Sequence, residues 1–188
     1  MLSNGRSLLV EQYKIININE SDTFCDEIIA DGEQKIFENA DVESENKEAR
    51  SCKVSWINDK KYQKLLSHYV ILSNKSYNYS LKEFEDLQYT LYKKGDYYDW
   101  HIDTHDKPYP NGTIRKLSFT LCLNDEFEGG DFSICTPHPI SSFTNKETFK
   151  LKKGEMIVFP SHVWHKVDKI TEGTRKSLVG WIVGNQWK

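Results

Sequence analysis

Tyr92-Lys93-Lys94-Gly95-Asp96-Tyr97-Tyr98-Asp99-Trp100-His101-Ile102-Asp103 is the stretch that decides how this chain is read. Its last three residues form a His-x-Asp pair. On a β-strand, residues i and i+2 point to the same face, so both side chains can reach one metal ion. A second histidine, His165, lies far downstream and must come from another strand, and Arg175 follows it by ten residues. Two histidines and one carboxylate form the donor set of a mononuclear non-haem iron(II). Three protein ligands on one face of an octahedron leave three positions for other molecules. The ten-residue step fits a strand, a turn and the start of the next strand. That layout predicts a guanidinium at the back of the same pocket, able to hold a carboxylate through two parallel hydrogen bonds.

His-x-Asp alone is weak evidence. Six histidines in 188 residues give several chances for a distal partner, and an isolated arginine beside Lys176 would ordinarily be a surface cation. The flanking sequence changes the weighing. The stretch from Tyr92 to Asp103 is followed by Arg115-Lys116-Leu117-Ser118-Phe119-Thr120-Leu121-Cys122-Leu123-Asn124 and by Glu128-Gly129-Gly130-Asp131-Phe132. Then come Gly154 to Val167, with Phe159-Pro160 and Trp164-His165, and Gly173-Thr174-Arg175-Lys176-Ser177 through to Trp181. In content, order and spacing these segments resemble the 2-oxoglutarate and iron(II)-dependent dioxygenases, specifically the prolyl-4-hydroxylase-like branch that includes the PKHD-type hydroxylases. The resemblance runs from about Leu87 to Trp181.

The resemblance implies a mainly β fold with flanking helices, a double-stranded β-helix or jelly roll. It implies iron(II) held by His101, Asp103 and His165, with 2-oxoglutarate and O2 as co-substrates and ascorbate as reductant. The implied reaction is hydroxylation of a carbon centre with release of succinate and CO2. In this reading Arg175 takes the distal carboxylate of 2-oxoglutarate. Tyr92 and Tyr98 lie on the co-substrate or at the pocket mouth, and Trp181 is an apolar wall. Where certain prolyl hydroxylases carry a tyrosine hydroxyl for that carboxylate, this chain has Cys122, which leaves Thr120 and Tyr92 as substitute helpers. His105 and His162 are read as structural or exposed.

The implied substrate is a prolyl or other side chain of a protein or peptide, with a free amino acid or small metabolite as the alternative. Relatives that demethylate nucleic acids use a second arginine six residues after the first, and here that position is Trp181. A net charge of −3 also argues against a nucleic-acid partner. Two other classes stay open: a jelly-roll binding module that keeps the fold without the reaction, and a zinc hydrolase. The first would be signalled by loss of a ligand or of the arginine; the second prefers three histidines or His2Glu with a general base.

Outside these motifs the chain reads as one domain, residues 1–188, with a mixed support region at 1–86 and a strand-rich catalytic core at 87–183. At 38% hydrophobic and 28% charged residues it has ordinary globular composition. No apolar run approaches the ~20 residues of a membrane span, and Met1 to Val10 lacks the pattern of a secretory signal. Four cysteines without CxxC spacing suggest reduced thiols. Together these give a cytoplasmic expectation; oligomeric state is unreadable.

In the support region, Gln12 to Ile18 reads as a strand. Ser21 and Asp22 offer caps for a short helix with Phe24, Cys25, Ile28 and Ile29 on one face and Gly32 as its stop. The acid-rich segment Glu38 to Arg50 reads as an exposed loop. Asn58 or Asp59 caps the strongest helix, where Tyr62, Leu65, Leu66, Tyr69 and Val70 form one apolar stripe. Asn74 to Tyr79 reads as a turn. Further on, Ser118, Thr120 and Cys122 alternate with Phe119, Leu121 and Leu123 as a strand should. Lys152-Lys153-Gly154 reads as a hairpin before the strand Glu155 to Phe159.

Overall fold

The structure, a computed structural model, describes residues 12–18, 21–35, 37–40, 49–136, 139–140 and 145–187. Its frame is the alternation seen in the sequence. On strand β8 (Thr113–Cys122), Leu117, Phe119 and Leu121 point to one side, and Ser118, Thr120 and Cys122 to the other. The same division holds on β6 (Leu87–Lys93), β12 (Glu155–Pro160) and β14 (Ile170–Asn185). One face of the large sheet therefore packs on helices. The other forms the inside of a jelly roll.

The large sheet runs β1 (Lys14–Asn17), β12, β8, β14, β6, β4 (Lys53–Ile57), β2 (Glu38–Asn39), with β5 (Leu81–Phe84) and β9 (Phe127–Gly129) paired to β14. The small sheet runs β11 (Asn145–Phe149), β10 (Phe132–Thr136), β13 (Trp164–Val167), β7 (Tyr97–His101), β3 (Arg50–Ser51). Helices α1 (Ser21–Glu33) and α2 (Lys60–Tyr77) cover the outer face of the large sheet. Phe24, Ile28, Tyr62, Leu66 and Val70 meet Leu87, Tyr89, Phe119, Leu121 and Leu178 there. A second apolar cluster between the sheets contains Val54, Tyr92, Phe132, Ile157, Phe159 and Val167. Close packing explains Gly180: a Cβ there would lie 2.5 Å from the Phe119 ring.

Several sequence expectations are revised. The residues Asn74 to Tyr77 form the last turn of α2, not a turn outside it. Asn78 ends the helix in the left-handed region (φ 54), and its backbone N–H donates to Asn74 O. Polar residues here occupy the solvent side of the helix, while Tyr77 is buried and donates to Val158 O. The acid-rich loop is bounded by paired strands, because β2 and β3 sit at its two ends; residues 41–48 lie outside the described residues. The turn at Lys152–Gly154 does not close a hairpin, since β11 and β12 on either side belong to different sheets. Asp59 is the α2 cap, accepting from Lys61 N at 2.8 Å. Capping of α1 by Ser21, and the reading of Met1 to Val10, fall outside the described residues, whereas Asp22 sits in the first turn. All four cysteines are free and buried. No helix among the described residues is long and apolar enough to cross a membrane.

Candidate metal and co-substrate site

β7 and β13 pair antiparallel with His101 directly opposite His165. That register brings the two imidazoles together, with ring centroids 4.0 Å apart. Asp103 follows the end of β7, and its backbone N–H donates to Ser161 O at 2.9 Å, as does that of Thr104 at 3.1 Å. Ser161 is fixed in turn by Ser118 Oγ at 2.9 Å and Lys116 O at 3.0 Å. The Asp103 carboxylate consequently lies 3.7 Å from His101 Nε2 and 3.4 Å from His165 Nε2. All three donor atoms fall within 4.8 Å of one another.

The other nitrogen of each ring is committed. His101 Nδ1 is 2.8 Å from Asp99 O, and His165 Nδ1 is 3.0 Å from Val163 O. A backbone carbonyl can only accept, so Nδ1 carries the proton and Nε2 presents its lone pair to the shared point. Burial, reinforced by His165, pushes the His101 imidazole well below its usual range, favouring the neutral form. Burial would raise Asp103, but His165, His101 and Arg115 outweigh it and hold the carboxyl at about 2. A neutral imidazole beside an ionised carboxylate is the state in which such groups bind a divalent cation. The donor set therefore fits ferrous iron.

The three donors open onto a cavity of about 600 Å³ between the sheets. Arg175, on β14, is 1% exposed and also lines it. Its Nη1 donates to Ser177 Oγ at 3.0 Å; its Nη2 is buried with no hydrogen-bond partner among the described residues. Room for the arginine stem depends on Gly130 (φ 66), where a Cβ would lie 3.0 Å from Arg175 Cδ and 2.4 Å from Ile170 Cδ1. A buried guanidinium with an unused donor suits the far carboxylate of 2-oxoglutarate.

Of the other residues picked out in the sequence, Tyr92 is buried with its ring 5.7 Å from the Arg175 guanidinium. Thr120 lines the cavity. Neither hydrogen-bonds Arg175. Arg175 instead donates to Ser177, and Cys122 turns its thiol to Asn124 O at 3.3 Å. Tyr98 stacks on His101 with centroids 3.4 Å apart. Trp181 lines the cavity, but it is more than an apolar wall: the Arg115 guanidinium sits 4.0 Å over its ring, and its Nε1 is buried without a partner. Arg115 is held by Glu85 through Nε at 3.0 Å and Nη2 at 2.7 Å. His105 is on the cavity wall, whereas His162 is exposed near Trp187.

Sequence reasoning missed Arg50. Its guanidinium lies 4.5 Å over the free face of Tyr98, donates through Nη2 to Gln88 Oε1 at 2.8 Å, and lines the same cavity. An arginine closing an acid-rich segment gives no signal of a place on the cavity wall.

A double-stranded β-helix with two histidines and an aspartate at one end of its small sheet, facing a buried arginine across the interior, defines a class of metal-dependent oxygenase folds. Residues 87–183 match the model of the 2OG-Fe(II) oxygenase superfamily, and the chain belongs to that family. A PKHD-type hydroxylase of Idiomarina loihiensis is 32% identical over 103 residues, which is 54% of this chain and 43% of that protein. The chain spans about half the length of the curated relatives it matches. In fold it is similar to a Pseudomonas putida prolyl-4-hydroxylase (TM-score 0.68, 18% identity, 94% of each chain). It is likewise similar to a viral collagen prolyl hydroxylase from Paramecium Bursaria Chlorella virus-1 (TM-score 0.67, 20% identity, 93% of this chain and 97% of that one).

Proposed function

We propose that this protein is an Fe(II)- and 2-oxoglutarate-dependent hydroxylase acting on a carbon centre, with a prolyl or other side chain of a protein or peptide as its substrate. The observation that carries the reading is Arg175: a buried guanidinium with Nη1 satisfied by Ser177 and Nη2 unpartnered among the described residues, lining the cavity that holds the His101, Asp103 and His165 donors. Relatives named as PKHD-type hydroxylases and neighbours named as prolyl hydroxylases support the choice of substrate class.

When bound, ferrous iron and 2-oxoglutarate supply the oxidising chemistry, in which one oxygen atom of O2 enters the substrate C–H bond while 2-oxoglutarate becomes succinate and CO2. The protein's part is arrangement. His101 and His165 offer Nε2 because their Nδ1 protons are tied to Asp99 O and Val163 O. Asp103 is kept ionised and anchored by its own backbone N–H to Ser161. Arg175 sets the depth and direction of the co-substrate. Phe132 and Phe159 pack against His165, keeping water from that side of the ring. Ascorbate serves as the reductant that keeps the iron ferrous. The test is succinate release with iron, 2-oxoglutarate and ascorbate, screened over proline-containing peptides, free amino acids and oligonucleotides. A peptide gaining one oxygen atom supports the reading. Turnover confined to free amino acids or to oligonucleotides would refute the substrate class, and absence of 2-oxoglutarate binding would refute the activity.

A further inference from the structure

Arg50 is a cation inside the cavity with no carboxylate partner among the described residues. Its Nε lies 3.0 Å from Cys52 Sγ and its Nη2 donates to Gln88 Oε1, while Nη1 makes no hydrogen bond among the described residues. The nearby acids are committed elsewhere. Glu85 takes both Arg115 and Tyr109, Asp96 accepts from Ser51 Oγ and Lys93 N, and Asp103 belongs to the metal donors. Gln88 is 5% exposed and also lines the cavity. Because its oxygen faces Arg50, its amide nitrogen is a further donor, and that nitrogen has no partner among the described residues. One wall of the cavity thus holds a positive charge, a free guanidinium N–H and a free amide NH2 together.

This wall is distinct from the Arg175 anchor. Gln88 pairs with Val179, four residues along β14 from Arg175, a backbone displacement of roughly 13 Å at strand spacing. On its other side Gln88 pairs with Trp56, a half-exposed residue whose ring lies 6.3 Å from Trp181 at the cavity rim. The charges point the same way. In the proposed hydroxylase, Asp103 and the two carboxylates of 2-oxoglutarate offset the ferrous ion and Arg175, and Glu85 offsets Arg115. Arg50 is left over.

We infer that Arg50 and Gln88 form a substrate subsite for a carboxylate, so that the molecule hydroxylated carries a negative charge near its reacting carbon. The inference rests on the proposed hydroxylase activity, not on its peptide substrate class, and adds a charge requirement to the substrate. The carboxylate is either the α-carboxylate of a free amino acid or C-terminal residue, or the side chain of an aspartate or glutamate next to the reacting residue. A guanidinium in a poorly solvated wall would otherwise keep an unbalanced charge.

The test compares binding of matched proline peptides by calorimetry: one with both ends capped, one with a free C-terminal carboxylate, one capped with an internal aspartate, together with free proline. Each is titrated into the bare protein and into protein loaded with Mn(II) and N-oxalylglycine, an unreactive analogue of 2-oxoglutarate. The expected result is about a ten- to hundred-fold preference for one carboxylate-bearing ligand over the capped peptide, the scale of hydrogen bonds to a charged group. The ligand that shows it identifies the source. Arg50→Gln should cancel the preference, and Arg50→Lys should keep part of it, since the charge stays and the fork is lost. A preference that survives Arg50→Gln overturns the subsite. So does an equal loss for capped and uncapped ligands, which would mark Arg50 as packing for Tyr98 alone. Weaker N-oxalylglycine binding in Arg50→Gln, with the peptide ratio unchanged, would assign the guanidinium to the co-substrate instead. If wild-type protein takes neither Mn(II) nor N-oxalylglycine, the hydroxylase reading fails, while the peptide ratio on bare protein still decides the fate of Arg50.

Discussion

Replacing Arg175 by methionine separates what this residue does for binding from what it does for folding. Methionine keeps an unbranched apolar stem beside Gly130 and Ile170 and removes the guanidinium. For the folded protein alone the loss is small. One hydrogen bond to Ser177 Oγ disappears, worth about 0.5–1.5 kcal/mol, and a buried donor without a partner disappears with it. Removing a buried unpaired charge offsets that loss, so the melting temperature should change by only a few degrees. For 2-oxoglutarate the loss is large. Its far carboxylate would sit unpaired in a site where the arginine is 1% exposed, and breaking such a pair costs about 3–5 kcal/mol. At roughly 1.4 kcal/mol per decade, affinity should fall by about two to three and a half orders of magnitude. Calorimetric titration of 2-oxoglutarate into Mn(II)-loaded protein measures this directly. Mn(II) stoichiometry should stay at the wild-type value, because Arg175 touches no donor. Arg175→Lys should recover only part of the affinity, having one point charge in place of two parallel N–H donors. Unchanged 2-oxoglutarate affinity in Arg175→Met would show that the carboxylate is held elsewhere.

Three further outcomes test the same geometry. His101→Ala should lose stoichiometric Mn(II) and iron binding, since two donors remain of three; metal analysis after desalting, with circular dichroism to confirm folding, reads it, and wild-type stoichiometry would contradict the donor assignment. Ser177→Ala should raise the apparent KM for 2-oxoglutarate several-fold by freeing the Arg175 fork, a loss of about 0.5–1.5 kcal/mol, and an unaltered KM would remove Ser177 as the helper. Gly130→Ala forces a side chain into the left-handed region, costing about 1 kcal/mol in backbone strain, and drives a methyl against Ile170 and the Arg175 stem. It should lower the melting temperature and weaken 2-oxoglutarate binding together, and a loss of stability with full co-substrate affinity would show that Arg175 does not depend on this space.

The jelly roll could be read in the chain because its strands alternate so plainly. Leu117, Phe119 and Leu121 against Ser118, Thr120 and Cys122 specify two faces with different surroundings. His101 and Asp103 could be paired from their spacing, since a strand puts i and i+2 on one side. What could not be read depends on contacts between distant segments. Arg50 lies on a two-residue strand whose place is set by pairing with Tyr97 and Tyr98, far along the chain. Ser177 as the partner of Arg175 is a rotamer outcome, open to Thr120 and Tyr92 on sequence grounds alone. The end of α2 was misread for a related reason. Asn74, Lys75 and Ser76 look like a turn in isolation, whereas the burial of Tyr77 against Val158 O and the bonds of Asn74 to Asn78 and Tyr79 accompany a last turn that stays helical.

β14 and β3 sit at opposite extremes of sheet connectivity. Over Ser177–Val179, β14 is bonded on both edges, to β6 on one side and β8 on the other. β3 is two residues long, lies at the edge of the small sheet and, among the described residues, is paired on one side only. Amide exchange should therefore be slowest around the Arg175 anchor, opening there only with global unfolding, and fast at Arg50 and Ser51 through local opening. The proposed 2-oxoglutarate end of the cavity therefore stands on the better-bonded strand. The wall carrying Arg50 should open locally first, so a ligand held there should slow exchange at Arg50 and Ser51 more than it slows exchange at Arg175.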